Sequence, residues 1–337
     1  MKALTLKAPG GLDNIRVSDI ADPGQPGKGE IRVAIKAGSL NFHDLIVATG
    51  QFPTEDGRIL LSDGAGVVEA VGEGVKDFRV GDNVVSTFFP VWLSGKPSAE
   101  VGGFAHTPGD GIDGMASAYV VRSENAFTHA PKGWTHCESA TITTSGLTAW
   151  RALITEGKLQ ANDTVLVQGT GGVSMAALQI AKAMGAKVIA TSSSDEKLKH
   201  VKALGADETI NYRTTPNWGD SVLALTNGVG VDHVVEVGGP ATLGESLKAV
   251  KIGGHITQIG IISGDEATLS ILSVLAKQVT IKGVIVASRQ DQIDYVKALE
   301  SMNQKPVIDR TFKYDDIAEA FAWQQSGSHL GKICVEW

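Results

Sequence analysis

Residues 165–190 read VLVQGTGGVSMAALQIAKAMGAKVIA, and this stretch carries the clearest indication of the fold class. The apolar run 165–168 has the composition of a buried strand and ends directly at Gly169. Apolar residues at helical spacing follow until Gly185, a residue type at which helices commonly end. The next apolar run, 187–191, predicts another strand. A strand, a glycine loop, a helix and a strand in this order indicate two parallel strands joined by a right-handed crossover.

The same alternation continues along the chain. Further apolar runs predict strands at 234–237, 256–259 and 280–286, and helical spacing appears near 241–251 and 268–276. Strands that alternate with helices form a parallel sheet with helices on both faces. We therefore predict an α/β fold, with a Rossmann-type, doubly wound parallel sheet in residues 123–287.

The N-terminal part has a different pattern. Short β-rich runs at 31–35, 66–71 and 83–86 are separated by Gly, Asp and Pro turns, which is typical of a small, irregular antiparallel barrel. We assign residues 1–122, together with the C-terminal 288–337, to this second domain.

A long connection within the N-terminal part, 86–112, holds the aromatic residues Phe88, Phe89, Trp92 and Phe104. A loop of this length is usually functional or disordered. Its aromatic content predicts that it packs against other residues.

Composition limits the class of protein. The chain has 337 residues, of which 42% are hydrophobic and 20% are charged, close to the average of folded domains. A formal net charge of −7 argues against nucleic acid and anionic membranes as partners. The most apolar stretch, 269–287, is interrupted by Lys277 and Lys282 and predicts a helix and a strand, not a membrane span. No signal peptide is predicted, so we expect a cytoplasmic protein.

The glycine and cysteine counts are also informative. The 40 glycines predict many tight turns and close backbone approaches. The chain has 2 cysteines, Cys137 and Cys334, too few for a disulfide framework or a thiolate zinc cluster.

The glycine loop predicts a dinucleotide site. Glycines allow a tight turn and a close approach of the backbone to a pyrophosphate, and the following helix offers free N–H groups and the positive end of its dipole. A glycine motif alone is weak support, but the strand–loop–helix context strengthens it. The small Ser174 takes the third glycine position. The predicted pyrophosphate contacts are Gly169, Thr170, Gly171, Gly172 and Val173.

The end of the second strand bears on the choice of dinucleotide. NAD sites usually place an acidic residue there to bind the ribose 2′-hydroxyl. Here residues 191–194 read TSSS, and no carboxylate occurs before Asp195. Hydroxyl groups leave room for a 2′-phosphate, so we favour NADP(H) over NAD(H). The predicted contacts of the 2′-phosphate are Ser192, Ser193, Lys197 and Tyr212, with Arg213 as an alternative to Tyr212. In the alternative interpretation, Ser194 only caps the following helix and Lys197 lies on a solvated face.

Motifs along essentially the whole chain resemble those of the medium-chain dehydrogenase/reductase superfamily. Besides the glycine loop, these are NFHD at 41–44, DGAGVVE at 63–69, AYVV at 118–121, SGLTAW at 145–150 and GK at 331–332. The resemblance implies a GroES-like, substrate-binding barrel beside the Rossmann domain and an oxidoreductase that acts on a small molecule. It also implies a homodimer formed through the strand at 280–286.

Zinc alcohol dehydrogenases of that superfamily hold a catalytic zinc with a Cys, a His–Glu pair and a further Cys or Asp. The matching positions here are Asn41, Ser62, Asp63 and Thr144, and Asn, Ser and Thr are not normal zinc ligands. The lobe that binds structural zinc in relatives matches 86–112, which has no cysteine. His43, beside Asp44, is either a relay or metal residue or a polar residue at the cleft rim, and one histidine is too few for zinc. The chain therefore resembles the zinc-independent branch, similar to NADPH:quinone oxidoreductases, and we predict no metal.

The resemblance also implies roles for single residues. Asn41 and Thr148 would lie near the nicotinamide and the substrate carbonyl, and Asp63 would lie in the cleft strand. The alternatives are turn stabilisation by Asn41, packing of Thr148 and a structural hydrogen-bonding role for Asp63. Some relatives use a tyrosine near the first of these positions as proton donor, where this chain has Phe42, so the proton donor stays open.

The remaining predicted site residues form two groups. The aromatic residues line an apolar substrate cleft or pack in the core: Phe42, Phe52, Phe88, Trp92 and Phe104. The further cofactor contacts are Ile259 and Ile261, which lie in a turn that resembles the nicotinamide-binding segment of the family. Arg289 and Lys332 are also predicted to contact the cofactor, and the alternative for Arg289 is a surface cation.

Three functions follow from these residues. The leading hypothesis is a zinc-independent, NADPH-dependent oxidoreductase that transfers hydride to a quinone, an α,β-unsaturated carbonyl or a similar activated acceptor. The first alternative is an NAD(P)-dependent alcohol dehydrogenase or ketone reductase of the same superfamily. The second is a non-catalytic NADPH-binding protein.

Overall fold

The structure is a computed structural model that describes all residues, 1–337. The strands are β1 (Lys2–Leu6), β2 (Ile15–Asp19), β3 (Glu30–Ser39), β4 (Arg58–Ile59), β5 (Asp63–Val71), β6 (Asn83–Ser86), β7 (Tyr119–Ser123), β8 (Phe127–His129), β9 (Thr164–Gln168), β10 (Lys187–Ser192), β11 (Glu208–Asn211), β12 (Val231–Glu236), β13 (Val250–Gln258), β14 (Thr280–Gly283), β15 (Ile308–Lys313) and β16 (Lys332–Glu336). The α-helices are α1 (Phe42–Ala48), α2 (His136–Ala140), α3 (Leu147–Trp150), α4 (Gly172–Ala183), α5 (Asp195–Ala203), α6 (Trp218–Leu225), α7 (Pro240–Ala249), α8 (Ile271–Lys277), α9 (Arg289–Met302) and α10 (Ile317–Gln325). None of these helices has the length and apolar character needed to cross a membrane.

The chain divides into two compact units. Unit 1 comprises Met1–Leu147 and Val286–Trp337, and unit 2 comprises Thr148–Ile285. The first boundary thus lies after Leu147 and not at residue 122. The reason is that β8 pairs with β6, and α2 packs against β3 and β5, so this part of the chain adds to the sheet of unit 1.

Unit 2 contains a six-stranded sheet in the order β11-β10-β9-β12-β13-β14, and every neighbouring pair is parallel. The predicted doubly wound parallel sheet is therefore confirmed. The chain starts in the middle at β9, runs outward to β11 and returns to β12 on the other side of β9. The central strand is fully buried at Val165, Leu166 and Val167, as expected for a parallel sheet covered on both faces. The strand order reverses between β9 and β12, where α/β folds usually bind their ligands.

Unit 1 is built mainly from antiparallel strands, as predicted. A seven-stranded sheet has the order β15-β16-β3-β5-β6-β8, with β7 on β3, and β15 and β16 are its parallel pair. A three-stranded sheet has the order β2-β1-β4. Two apolar cores, around Leu4 and Phe321 and around Ile31 and Phe127, hold these sheets in place. The long strand β3 leads directly to α1, and this junction positions the polar cluster described below.

Candidate functional site

The glycine loop of unit 2 is an open cradle at the start of a helix. Three residues connect β9 to α4, and Gly169 takes a φ of 69°, which favours glycine. A Cβ on Gly169 or Gly171 would have no heavy atom within 4 Å, so the loop backbone borders open space. Gly171 is the N-cap residue and provides no side-chain cap for α4. The loop therefore fits a phosphate-bearing ligand that binds backbone amides.

The third small residue of the motif, Ser174, connects the helix to the strand by a hydrogen bond. Ser174 is buried, and its Oγ donates to the carbonyl of Gln168 at 2.6 Å. This hydrogen bond joins the first turn of α4 to the last residue of β9. It fixes the width of the loop that lies between them.

The end of β10 carries hydroxyl groups and no carboxylate. Ser194 caps α5, because its side chain accepts a hydrogen bond from the Lys197 amide at 3.3 Å. The first carboxylate, that of Asp195, accepts from Asn211 Nδ2 at 2.7 Å and is thereby held toward the end of β11. The remaining predicted contacts differ in exposure: Ser192 is buried, Ser193 and Lys197 are half-buried, and Tyr212 is exposed.

A buried carboxylate that the sequence analysis did not single out lies beside this loop. Glu236 ends β12, next to Gln168 at the end of β9, and it is completely buried. Its side chain accepts a hydrogen bond from Gln168 Nε2 at 2.7 Å. The signal in the sequence is an acidic residue that ends an apolar strand, one residue before a glycine pair, in VVEVGG at 234–239.

The turn after β13 is attached to the same residue. The amides of Ile259 and Gly260 donate to the backbone carbonyl of Glu236 at 2.8 and 3.2 Å. The side chain of Ile261 is 45% exposed. The turn predicted to contact the nicotinamide thus lies beside the end of β12.

Unit 1 holds a buried polar cluster at the start of β5. Asp63 is fully buried, and its carboxylate accepts from Ser39 Oγ at 2.7 Å, Thr144 Oγ1 at 2.6 Å and Ser62 Oγ at 3.2 Å. The Lys332 ammonium lies 3.6 Å from the same carboxylate, and its side chain is 5% exposed. A buried carboxylate with three hydroxyl donors and one cation is fully satisfied.

The same cluster includes the N-terminus of α1. Asn41 is the N-cap residue, and the Asp44 carboxylate accepts from its backbone amide at 2.8 Å and from its Nδ2 at 3.0 Å. The Asn41 Oδ1 accepts from Lys332 Nζ at 2.5 Å. Burial raises the pKa of Asp44, and the negative charge of Asp63 raises it further. The Asn41 side chain therefore has partners within unit 1 at both its oxygen and its nitrogen.

Three of the five predicted aromatic residues surround an imidazole. The ring of His43 lies 4.7 Å from that of Phe104, 5.4 Å from that of Phe88 and 5.9 Å from that of Phe52. The Nε2 atom of His43 lies 3.0 Å from the Asp110 carboxylate, and this contact holds the imidazole among the aromatic rings. Of the other two, Trp92 is buried and Phe42 is 42% exposed outside this cluster.

Comparison with known proteins decides the family. The model of the alcohol dehydrogenase GroES-like domain matches residues 27–132, and that of the zinc-binding dehydrogenase matches 172–303. A zinc-type alcohol dehydrogenase-like protein of Schizosaccharomyces pombe is 40% identical over 336 residues, which covers 97% of this chain and 96% of that protein. The chain belongs to the medium-chain dehydrogenase/reductase superfamily. It is an NAD(P)H-dependent oxidoreductase.

Solved structures of this superfamily include enzymes with different named substrates. An NAD-dependent alcohol dehydrogenase superposes with a TM-score of 0.90 and 35% identity, covering 100% of both chains. A quinone oxidoreductase of Pseudomonas syringae pv. Tomato superposes with a TM-score of 0.83 and 27% identity, covering 100% of this chain and 99% of that one. The fold is therefore shared by alcohol and quinone enzymes, and the site residues must distinguish them.

The donor set of unit 1 does not fit the zinc that the name of the matching family model, zinc-binding dehydrogenase, implies. Of the matching positions, Asn41, Ser62 and Thr144 offer an amide and two hydroxyls, and Asp63 is the one carboxylate. That carboxylate already accepts three hydroxyl hydrogen bonds and faces an ammonium. A divalent cation there would be repelled by Lys332.

Two residues that the family resemblance predicted to contact the cofactor, Arg289 and Lys332, have other partners in the structure. Arg289 donates from Nε to the Phe127 carbonyl at 3.0 Å and from Nη2 to Asp77 at 3.1 Å. Lys332 donates to the Leu40 carbonyl at 2.7 Å besides the contacts given above. Both side chains are therefore left out of the cofactor site proposed below.

Thr148, the remaining predicted residue, is buried and belongs to unit 2. It lies in α3, one residue after the boundary with unit 1. Its role near the substrate stays a prediction.

Proposed function

We propose that the protein is a zinc-independent, NADPH-dependent oxidoreductase that reduces a quinone, an α,β-unsaturated carbonyl or a similar activated acceptor. The observation that carries this proposal is the buried Lys332 ammonium beside Asp63, which is one of the four positions that match zinc ligands. A simple carbonyl needs strong polarisation of its oxygen, whereas an activated acceptor already delocalises the charge that hydride transfer creates. The acceptor takes up one hydride and one proton.

The residues of unit 2 fit the cofactor as follows. The loop from Gly169 to Val173 would hold the pyrophosphate, and Ser192, Ser193, Lys197 and Tyr212 would hold the 2′-phosphate. Ile259 and Ile261 would border the nicotinamide. When bound, NADPH supplies the hydride.

The residues of unit 1 would bind and orient the acceptor. Phe52 and Phe104, both half-buried, would pack against its planar apolar part. Asn41 and Asp63 act in this proposal as positioning residues, because their polar atoms already have partners within unit 1. They keep the start of α1 and the start of β5 in one arrangement.

A panel of acceptors tests this function. Oxidation of NADPH is followed at one pH with a quinone, an enone and a saturated ketone of similar size. We expect turnover of the quinone or the enone, with kcat/KM at least about tenfold above that for the ketone, because polarisation by a metal is not available to the ketone. Turnover of the ketone alone would instead establish the first alternative, an alcohol dehydrogenase or ketone reductase, which the names of the relatives favour.

The non-catalytic alternative is tested by the same panel. Binding of NADPH without turnover of any acceptor would support it. The family assignment favours an enzyme instead.

Ser193→Asp tests the choice of dinucleotide. A carboxylate at the end of β10 would repel a 2′-phosphate and accept a hydrogen bond from a 2′-hydroxyl. We expect NADPH to bind at least about tenfold more weakly and NADH to bind as well as or better than before. Fluorescence titration with both nucleotides measures this, with Ser193→Asn as the uncharged control. Equal affinities of the unaltered protein for NADPH and NADH would refute the proposed preference for NADPH.

A second copy of this chain is the proposed partner of unit 2. The strand β14 ends the sheet and has one unpaired edge. Directly before β14 in the chain, α8 exposes Ile271, Leu272 and Leu275 at 65%, 76% and 68%. An unpaired edge beside exposed apolar side chains is suited to pairing with an identical sheet across a two-fold axis.

The double variant Leu272→Lys/Leu275→Lys tests this partner. Two charges on the apolar face of α8 would have to be buried in a dimer. We expect the unaltered protein to sediment as a dimer and the double variant as a monomer in sedimentation velocity experiments. A control variant, Val229→Lys, changes another exposed apolar residue of unit 2 (63% exposed) and should stay dimeric. A monomeric unaltered protein at micromolar concentration would contradict the proposal.

A further inference from the structure

Glu236 has the features of a residue that organises several loops at once. It ends β12 at the point where the strand order of unit 2 reverses, beside the end of β9. Its side chain is 0% exposed. No Lys, Arg or His side chain forms an ion pair with it. A buried carboxylate without a cation is costly unless other groups satisfy its oxygens.

Five neutral donors satisfy these oxygens. The Oε1 atom accepts from the amides of Gly238 and Gly239 at 2.8 and 3.0 Å and from Thr242 Oγ1 at 2.5 Å. The Oε2 atom accepts from Gln168 Nε2 and from Ser246 Oγ. The two amides precede α7, whose helix dipole also favours a negative charge there. The negative charge is therefore held by hydrogen bonds and the helix dipole.

These hydrogen bonds connect three loops. Through Gln168, the carboxylate is attached to the residue before the glycine loop, and that residue is also attached to α4 by Ser174. Through the Gly238 and Gly239 amides, it is attached to the turn after β12. Through its own backbone carbonyl, Glu236 accepts from the amide of Ile259 in the turn after β13.

We propose that Glu236 is a positioning residue for the nicotinamide half of the dinucleotide, because it sets the spacing between the glycine loop and the turns after β12 and β13. This inference rests on the proposed function, in which these loops hold the cofactor. Glu236 itself touches no phosphate in this proposal. Its carboxylate holds the residue before the glycine loop and the turn after β12 at a fixed distance, and its backbone carbonyl holds the turn after β13.

An amide at this position would be nearly isosteric but could not satisfy the same partners. In Glu236→Gln, the new NH2 group would face either the Gly238 and Gly239 amides or the Gln168 amide, and all of these are donors. The Gln168 side-chain amide could flip so that its oxygen accepts from the new NH2 group. Its own NH2 group would then face the backbone amides of residues 237 and 238, which now donate to the Gln168 oxygen at 3.3 and 3.4 Å. Whichever way the two side-chain amides are oriented, at least one hydrogen bond to these loops is lost.

The test compares Glu236→Gln with Ser246→Ala. Ser246 is also fully buried, donates to the same carboxylate and accepts from Gln168 Nε2 at 2.7 Å, but it lies inside α7 and belongs to none of the three loops. Both variants should lose thermal stability, so stability alone does not distinguish a positioning role. The distinguishing readout is equilibrium binding, by fluorescence titration with NADPH and by calorimetry with adenosine 2′,5′-bisphosphate, which has no nicotinamide half.

We expect Glu236→Gln to bind NADPH about tenfold more weakly while its affinity for adenosine 2′,5′-bisphosphate is unchanged. Ser246→Ala should bind both nucleotides like the unaltered protein. The assignment is overturned if Glu236→Gln binds NADPH normally, or if both variants lose NADPH affinity equally. An unaltered protein that binds neither nucleotide would overturn the proposed function itself, and this result is distinct from a failure of Glu236→Gln alone.

Discussion

Gly171→Asp should abolish dinucleotide binding and leave the fold intact. Gly171 has φ −77° and ψ −179°, which any residue adopts, and an added Cβ would meet no atom within 4 Å. Aspartate is a favoured N-cap residue, so the free energy of unfolding should be unchanged or higher by a few tenths of a kcal/mol. Its carboxylate would occupy the place of the pyrophosphate and repel it. We expect affinity for NADPH to fall about 100-fold or more.

Fluorescence titration and thermal unfolding of the same preparation measure the two effects. Gly244→Asp is the matched control, because Gly244 is exposed in α7 and also has no atom within 4 Å of an added Cβ. That variant should bind NADPH normally. Normal binding by Gly171→Asp would show that the cofactor lies elsewhere, and a loss of stability would show that the loop conformation is tighter than described.

Lys332→Met should strongly destabilise unit 1. The ammonium is the cation beside the fully buried Asp63, and it also binds the Leu40 carbonyl and the Asn41 side chain. Removing it leaves a buried carboxylate without a compensating charge. Losing one partner of such a pair typically costs about 3–5 kcal/mol of the free energy of unfolding. Urea unfolding, with the fluorescence of the tryptophans as probe, measures this loss.

A double-mutant cycle shows whether the pair is the cause. Adding Asp63→Asn removes the uncompensated charge, so the double variant should recover part of the stability lost in Lys332→Met. Lys2→Met, which breaks the exposed pair with Asp19, is the control and should have no measurable effect. A Lys332→Met protein as stable as the unaltered one would contradict the cluster described here.

Much of unit 2 can be predicted from the sequence because its signals are local. The apolar run before Gly169, the helical spacing after it and the hydroxyl residues at the end of β10 lie within about 30 residues of each other, the length of a βαβ unit. Local steric and hydrophobic rules are enough to predict the parallel sheet. The helix α6 (Trp218–Leu225) was not predicted. It lies between β11 and β12, and its burial depends on contacts with α7 that are not visible in a short window.

The polar clusters could not be predicted, because their partners are far apart in the chain. Lys332 and Asn41 are 291 residues apart, and Gln168 and Glu236 are 68 apart. A lysine at the start of an apolar C-terminal strand gives no indication of which carboxylate it will meet. The family resemblance named Lys332 as a cofactor contact, whereas the structure places its ammonium 3.6 Å from the Asp63 carboxylate.

Hydride transfer without zinc is tested by combining a metal analysis with an activity assay. The metal content of the purified protein is determined by mass spectrometry, and oxidation of NADPH with a quinone is then measured before and after exhaustive dialysis against a strong chelator. The account predicts less than about 0.1 zinc per chain and unchanged kcat, because a site that contains Lys332 beside Asp63 does not fit a divalent cation. One zinc per chain, with activity lost on chelation and restored by added zinc, would contradict it.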